Sequence, residues 1–332
     1  MMFTAYPWQF DQFEQLIGIF RQGRLPHALL LQGEPGLGKR HFAQALAQLI
    51  LCESEQSADA MQPCGSCKAC QLYAASTHPD ALNVQLEEKA TQIKVDQIRQ
   101  LSQFLSQTSH RQGMQVVIIE PAESMNINAA NALLKSLEEP TANTLIILIT
   151  HAADSLLATI RSRCQMIDVA RPSQSQANEW LSPYISEPQK RMQLLQLANG
   201  NPLLARTFDE QAYLATYQRI ADYISAILQG QTPSPIGIAD YCSKQDALQA
   251  IHALQRLIGQ TIHYAHAVAA DDICPLQPFA ERFRRPPFAL KAYSFIDDIN
   301  QSKQQLLSVS NPNPALLFES LFIRAQALFR LC

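Results

Sequence analysis

A chain of 332 residues is long enough for two or three domains, and 47% hydrophobic residues are enough to fill their cores. Its net charge of −3 argues against a protein that grips nucleic acid alone through a broad basic face, although contact with DNA inside a larger assembly stays open. Apolar runs are only strand-sized and residues 1–11 lack the pattern of a secretory signal, so we expect a cytoplasmic protein with reduced cysteines and no membrane association.

Three short apolar runs in the first half alternate with helical patterns. We expect strands at Ala28–Gln32, Val116–Ile119 and Leu145–Thr150. A helix is expected over His41–Cys52, and apolar residues at i, i+3, i+4 and i+7 predict another that contains Ala130–Leu137 and ends at Glu139. Strands that alternate with helices predict an α/β domain whose mostly parallel sheet is covered on both faces.

The first expected strand runs into the sequence GEPGLGKR, which opens a helix and therefore predicts a phosphate-binding P-loop. In such a loop the glycines let backbone N–H groups surround phosphate oxygens, while the lysine reaches the outer phosphates. The final position normally holds a Ser or Thr that binds Mg²⁺, but here it is an arginine. Whether the loop binds ATP or ADP, or is only a glycine-rich turn, stays open. The candidate nucleotide-binding residues are Gly33, Gly36, Gly38, Lys39 and Arg40.

The second expected strand ends where a P-loop ATPase places an Asp for Mg²⁺ and a Glu that activates water. This chain has Glu120 followed by Pro121. Glu120 is one methylene longer than the usual metal ligand, and Pro121 cannot act as a base. We expect Glu123 to be a solvated loop or helix-cap acid. Loss of the metal-binding hydroxyl and of the base should lower the rate of phosphoryl transfer by orders of magnitude.

Four of the eight cysteines have the spacing C-x11-C-x2-C-x2-C, namely Cys52, Cys64, Cys67 and Cys70. Two successive C-x2-C turns favour a closed, tetrahedral Cys₄ zinc site with a structural role. Four unligated thiols and an iron–sulfur cluster are the alternatives. The other cysteines show no partner spacing; they are Cys164, Cys242, Cys274 and Cys332.

Beyond about residue 168 the pattern becomes helical. It predicts three domains: residues 1–168 with a metal module at about 52–72, residues 169–209 as a small helical domain, and residues 210–332 as a larger helical one. Arginines at 282, 284 and 285 alternate with Phe279, Phe283 and Phe288, which fits either a stacking platform for nucleic-acid bases or a loop that packs its rings. Long helices are expected at Ala247–Ile262, Leu290–Ser308 and Ala315–Leu331.

Several short motifs resemble those of a known family. Ser162-Arg163-Cys164 resembles the SRC motif of clamp-loader AAA+ subunits, and residues 131–140, NALLKSLEEP, resemble another stretch of the same group. Tyr6-Pro7-Trp8, residues 23–30 and Thr77-His78-Pro79-Asp80 are similar to delta-prime subunits of the bacterial DNA polymerase III clamp loader. The resemblance covers residues up to about 205 and extends more loosely into the helical C-terminal third.

The resemblance implies an AAA+ P-loop domain with a zinc insert, a small helical lid and a helical collar. It implies that Arg163 is an arginine finger, which acts in trans on the ATPase site of a neighbouring gamma/tau subunit; on spacing alone Arg161 and Arg163 would be a solvated charge cluster. Thr150 matches the family's sensor position, and Leu203 stands where active relatives have a sensor arginine. The implied partners are the gamma/tau and delta subunits and, through the assembly, the sliding clamp and primed DNA.

Two other functions are compatible with parts of this pattern. An active ATPase of the gamma/tau type would need Ser or Thr at position 40, an acid at 121 and an arginine at 203, and the chain has none of these. A stand-alone zinc-bearing scaffold would need no partner ATPase. We expect a subunit of the DNA polymerase III holoenzyme that has no ATPase or polymerase activity of its own.

Overall fold

The structure, a computed structural model, describes residues 2–54, 62–88, 90–109, 113–266, 274–307 and 312–330. The chain divides into two compact units, residues 1–176 and 177–332. None of the described helices is both long enough and apolar enough to cross a bilayer. Part of the expected metal module (residues 55–61), the expected helix ends Ser308 and Leu331, and Cys332 lie outside the described residues.

The first unit contains a five-stranded parallel sheet with the order β2-β3-β4-β1-β5. Its interior strand β1 pairs on one side with β4, where Ala28 lies opposite Ile146, and on the other with the edge strand β5, where Leu29 lies opposite Gln165. Because the strands are parallel, the segments that follow β1, β3 and β4 meet at one edge of the sheet. The strands are β1 (Ala28–Gln32), β2 (Ala81–Gln85), β3 (Gln115–Glu120), β4 (Thr144–Ile149) and β5 (Gln165–Asp168).

Helices cover both faces of this sheet. Alternate residues of β1 point to opposite faces, so that Leu29 and Leu31 pack with α1 and α2, whereas Ala28 and Leu30 pack with α4 and α5. The two apolar layers confirm the predicted α/β P-loop architecture. The helices are α1 (Phe10–Arg21), α2 (Lys39–Ile50), α3 (Lys68–Ala74), α4 (Val95–Ser106), α5 (Ile127–Glu138) and α6 (Ala158–Arg161).

Between β4 and β5, Leu156, Leu157 and Ile160 have the spacing of one apolar helical face, which predicts a single amphipathic helix. The structure differs from this prediction. Residues 153–155 form a 3₁₀ turn, Leu156 and Leu157 are not helical, and α6 has a single turn that ends at Arg161. Leu156 and Ile160 are nevertheless buried against α5 and the sheet. The apolar spacing that suggested one helix is therefore produced by two short pieces that pack on the same layer.

The second unit consists of helices around a single apolar core. Aromatic rings at 283, 295, 318, 322 and 329 are fully buried in it. This core draws on residues from both the predicted small helical domain and the predicted larger one, and the boundary between these two stays a prediction. The helices are α7 (Gln174–Leu181), α8 (Pro188–Leu197), α9 (Pro202–Glu210), α10 (Tyr213–Leu228), α11 (Pro235–Ser243), α12 (Ala247–His266), α13 (Ala280–Arg284), α14 (Pro286–Leu307) and α15 (Pro314–Phe329).

The arginine and phenylalanine patch at residues 279–288 is part of this packing. Phe283 is fully buried and meets Phe288 edge to face, with ring centroids 5.0 Å apart. Arg282 donates to the carbonyl oxygen of Leu228 at 2.5 Å. These contacts place Phe283 and the Arg282 head group within the fold, which does not suit a platform for stacking bases.

Candidate functional site

Three predicted site segments meet at the carboxyl edge of the sheet. The P-loop leaves β1, Glu120 is the last residue of β3, and Thr150 follows β4, which lies between β1 and β3. Gly33, Gly36 and Gly38 have φ angles of 140°, 83° and 82°. These angles belong to the region that residues with a Cβ rarely adopt, so the glycines give the loop its tight path into α2.

Lys39 turns its ammonium group back onto the P-loop itself. Its Nζ donates to the carbonyl oxygens of Gly33 at 2.5 Å and Glu34 at 2.7 Å, and the side chain is 2% exposed. Burial lowers the pKa of Lys39 to about 8, against the attraction of Glu123, Glu120 and Glu34. The lysine that would meet phosphate is thus present, buried and already hydrogen-bonded within its own loop.

The N-terminal segment packs over the P-loop. Trp8 Nε1 and Gln9 Nε2 both donate to the carbonyl oxygen of Leu37, at 3.3 Å and 2.9 Å. The Tyr6 ring stacks on Trp8 and lies so close to Gly38 that a Cβ there would be 2.7 Å from it. Gly38 is therefore required both for its positive φ and for this close approach, and the contacts of Trp8 and Gln9 brace the loop.

Arg40 points toward the end of β3. Its Nε lies 3.5 Å from Glu120 Oε2, and Nη2 donates to Gln85 Oε1 at 2.9 Å. Burial raises the pKa of Glu120, while Arg40 acts to lower it. In a metal-dependent P-loop the residue at position 40 and the acid at the end of β3 hold Mg²⁺. Here the residue at position 40 is an arginine, and its guanidinium group lies next to that acid.

Glu123 differs from the expected solvated acid. It lies in a 3₁₀ turn at residues 122–124, is only partly exposed, and accepts a hydrogen bond at 3.1 Å from the backbone N–H of His151. Its second oxygen, Oε2, is buried. Among the acids around Lys39, Glu123 makes the largest contribution toward raising the lysine pKa. The turn brings this carboxylate to the P-loop, which sequence spacing alone does not reveal.

Thr150 is fully buried at the same edge. Its N–H donates to the carbonyl oxygen of Leu31 at 3.0 Å, and its hydroxyl accepts from the N–H of Ala152 at 3.1 Å. These bonds fix the turn after β4 next to β1. The predicted sensor residue thus lies beside the P-loop strand, with its side chain bonded to that turn.

Arg163 lies beyond α6 on the surface of the first unit. Its Nη2 is 2.7 Å from Glu138 Oε1, at the end of α5, and its Nη1 donates to the carbonyl oxygen of Thr159 at 3.0 Å. Arg161 is paired separately, with Nη1 3.1 Å from Asp154. The two arginines of the predicted cluster therefore have different partners.

The four predicted cysteine ligands come together around α3. Their Sγ atoms all lie within 4.8 Å of one another, with 3.9 Å between Cys52 and Cys67 and 4.0 Å between Cys64 and Cys70. A tetrahedral zinc ion with Zn–S bonds of 2.3 Å needs S–S separations of about 3.8 Å. Both distances are too long for disulfides, so the cluster fits a metal ion that is bound by four thiolates.

Backbone N–H groups also point at these sulfurs. Cys67 N–H donates to Cys64 Sγ and Cys70 N–H donates to Cys67 Sγ, each at 3.3 Å. Hydrogen bonds from the N–H groups of Cys67 and Ser66 lower the pKa of the Cys64 thiol to about 6, whereas burial raises that of Cys70. A bound dication would favour thiolate at all four positions.

Two side chains at these sites were not predicted as site residues. Gln85 ends the unpredicted strand β2 and reaches Arg40, and Glu138 ends α5 and reaches Arg163. Glu138 lies inside the NALLKSLEEP stretch, which was recognised in the sequence, but its contact with Arg163 was not predicted. Gln85 had no comparable signal because its role depends on the pairing of β2 with β3.

Comparisons with known proteins agree with this fold and these motifs. A family model described as DNA polymerase III, delta subunit, matches residues 8–173, and one described as its C-terminal part matches residues 215–326. The chain is similar to DNA polymerase III subunit delta-prime of Pseudomonas aeruginosa, with 34% identity over 98% of this chain and 99% of the relative. The protein of the same name from Escherichia coli K12 is 30% identical over 97% and 95%.

Among solved structures, a DNA polymerase III gamma subunit-related protein of Thermotoga maritima has a similar fold. The TM-score is 0.54 and the identity is 19%, over 96% of this chain and all of the other. That level of identity supports the fold alone. The sequence matches extend over both units, and on their strength this chain belongs to the delta-prime family of bacterial DNA polymerase III subunits.

Proposed function

We propose that this chain is a clamp-loader subunit that supplies Arg163 to the ATPase site of a neighbouring subunit and does not hydrolyse ATP at its own P-loop. Its partners in this proposal are the gamma/tau and delta subunits, which together place the sliding clamp on primed DNA. Such an assembly acts in the cytoplasm. The family membership supports the assembly, and the contacts of Arg40 support the loss of hydrolysis.

The ion pair between Arg40 and Glu120 is the observation that carries the proposal. The Arg40 guanidinium lies beside the carboxylate that would hold Mg²⁺, and Coulomb repulsion opposes a second cation there. Pro121 supplies no base, and Leu203 supplies no positive charge to a phosphate. An active gamma/tau-type ATPase, the alternative function, needs a hydroxyl ligand at position 40, an acid at 121 and an arginine at 203.

Arg163 is suited to act outside its own subunit. It follows α6, is about one-third exposed, and keeps its guanidinium on the protein surface. A guanidinium brought against a transferring phosphate stabilises the negative charge of the transition state. For the cysteine cluster we propose Zn²⁺, because four thiolates in a tetrahedron leave no open position for chemistry and favour a structural ion.

The proposal is tested in a reconstituted clamp loader with single-turnover ATP hydrolysis at the adjacent subunit. Arg163→Ala should lower that rate by about 10³-fold or more. Arg161→Ala is the matched control, since it removes an arginine two residues away that pairs with Asp154, and it should leave the rate unchanged. Unchanged hydrolysis with Arg163→Ala, or steady turnover by the isolated chain at the rate of a motor subunit, would show the proposal to be wrong.

A further inference from the structure

We propose that Glu138 is a positioning residue that holds Arg163 in the orientation it needs to reach a phosphate in the neighbouring subunit. This inference rests on the proposed function of Arg163. Glu138 touches no nucleotide in this proposal; it acts only through the arginine. The partner class is the outer phosphate of a nucleoside triphosphate bound to another chain.

The contacts of Arg163 engage both terminal nitrogens of the guanidinium and leave other N–H donors available. Nη2 pairs with Glu138 Oε1 at 2.7 Å, and Nη1 donates to Thr159 O at 3.0 Å and to Ser162 Oγ at 3.4 Å. A guanidinium has five N–H donors. Three contacts within the described residues therefore leave at least two donors for a phosphate, so the group is held in place while it can still bind.

The position of Glu138 is unfavourable for helix stability. It is the last residue of α5, and Glu139 follows it as the C-cap. The C-terminal end of a helix carries a partial negative charge, so carboxylates there are disfavoured. An ion pair whose side chains are 35% and 49% exposed adds little to the stability of a fold. The net effect of Glu138 is thus expected on the conformation of Arg163 rather than on folding.

Fixing an arginine before the neighbour arrives has a kinetic consequence. A free arginine side chain samples many rotamers, and it loses this conformational entropy when the transition state requires a single one. A carboxylate that selects one orientation in advance removes part of that loss. Because Arg161 pairs with Asp154 instead, the arrangement with Glu138 applies to Arg163 and is not shared by its neighbour.

The experiment compares Glu138→Gln with the wild type in the reconstituted loader. We expect the rate of hydrolysis at the adjacent site to fall about two- to fivefold, the size associated with a partly exposed charge pair, with an unchanged concentration of ATP at half-saturation. The thermal midpoint of the chain should stay the same or rise, because a charge that opposes the helix dipole is removed. Glu139→Gln is the matched control and should leave the rate unchanged.

A double-mutant cycle separates positioning from other effects. In an Arg163→Ala background, Glu138→Gln should cause no further loss. If Glu138→Gln leaves the rate unchanged while Arg163→Ala abolishes it, the inference about Glu138 is wrong and the proposed function stands. A loss that persists in the Arg163→Ala background also overturns it. If Arg163→Ala itself has no effect, the proposed function fails, and this inference fails with it.

Discussion

At the start of α2, Arg40 extends its guanidinium group to Glu120 and Gln85. In a metal-dependent P-loop, the residue at this position and the acid at the end of β3 hold Mg²⁺. The rest of the loop keeps its glycines and Lys39. Mg²⁺ bound to ATP would have to approach the positive charge of Arg40 and compete with it for Glu120. Within the P-loop, the difference from a metal-dependent loop is thus the side chain at position 40, next to the lysine.

We therefore expect Mg²⁺ to leave the affinity of the wild-type chain for ATP unchanged or to lower it. With Arg40→Thr, which restores a hydroxyl ligand, Mg²⁺ should raise that affinity at least about tenfold. Calorimetric titrations with ATP, in Mg²⁺ and in a chelator, measure both effects. Arg171→Thr is the control, because Arg171 pairs with Glu34 in the loop rather than with Glu120. Stronger binding of ATP by the wild-type chain in Mg²⁺ would contradict this assignment of Arg40.

Other residues at the carboxyl edge of the sheet show which site residues the sequence predicts and which it does not. The P-loop glycines and Lys39 are recognisable because their roles depend on local backbone geometry and chain order. Glu123 was expected to be a solvated loop or helix-cap acid, but it is only partly exposed because a turn carries it to the N–H of His151, 28 residues away. A lone acid after a strand carries no sequence signal for such a contact.

At the scale of elements, α3 and the loop before it are organised by the cysteine cluster. Cys67 is the N-cap of α3, and its Sγ accepts the N–H of Cys70. A helix of seven residues has little stability of its own. A metal ion that joins this helix to Cys52, just after α2, would therefore add to the stability of the segment.

We expect about one zinc ion per purified chain, and Cys67→Ser should reduce the metal content to well below half. Serine keeps the capping function at the start of α3, so the resulting loss of stability reports on the metal. The thermal midpoint should fall by roughly 5–10 °C. Elemental analysis and thermal unfolding measure the two effects. Cys164→Ser should retain the zinc; equal metal content in Cys67→Ser and the wild type would refute a four-thiolate site.

Whole elements were predictable where burial imposes a clear pattern. Strands β1, β3 and β4 are central and apolar, and all were predicted within a residue or two. Strands β2 and β5 were missed because they form the two edges of the sheet, where Val84 is the one buried residue and the alternation is weak. The sequence therefore predicts the interior of the sheet better than its extent.

At the scale of the whole molecule, the described cores separate along the chain. The two apolar layers on the sheet draw their buried residues from positions 5–169, and the helical core draws its own from positions 177–329. Motifs for the P-loop, the cysteine cluster and Arg163 all fall in the first of these ranges. The division of the second range into two domains stays a prediction, and buried residues from both predicted domains contribute to one core.

Because each unit has its own core, we expect residues 1–176 to fold when they are expressed alone. The fragment should unfold in one cooperative thermal transition and should bind about one zinc ion, as the full chain is expected to do. Circular dichroism and elemental analysis provide the two measurements. A fragment of residues 1–164 is the matched comparison: it lacks β5, which pairs with β1 beside the P-loop, so its thermal midpoint should be clearly lower. If residues 1–176 showed no cooperative transition with zinc present, the two units would depend on each other for folding, and the independence inferred from their separate cores would be wrong.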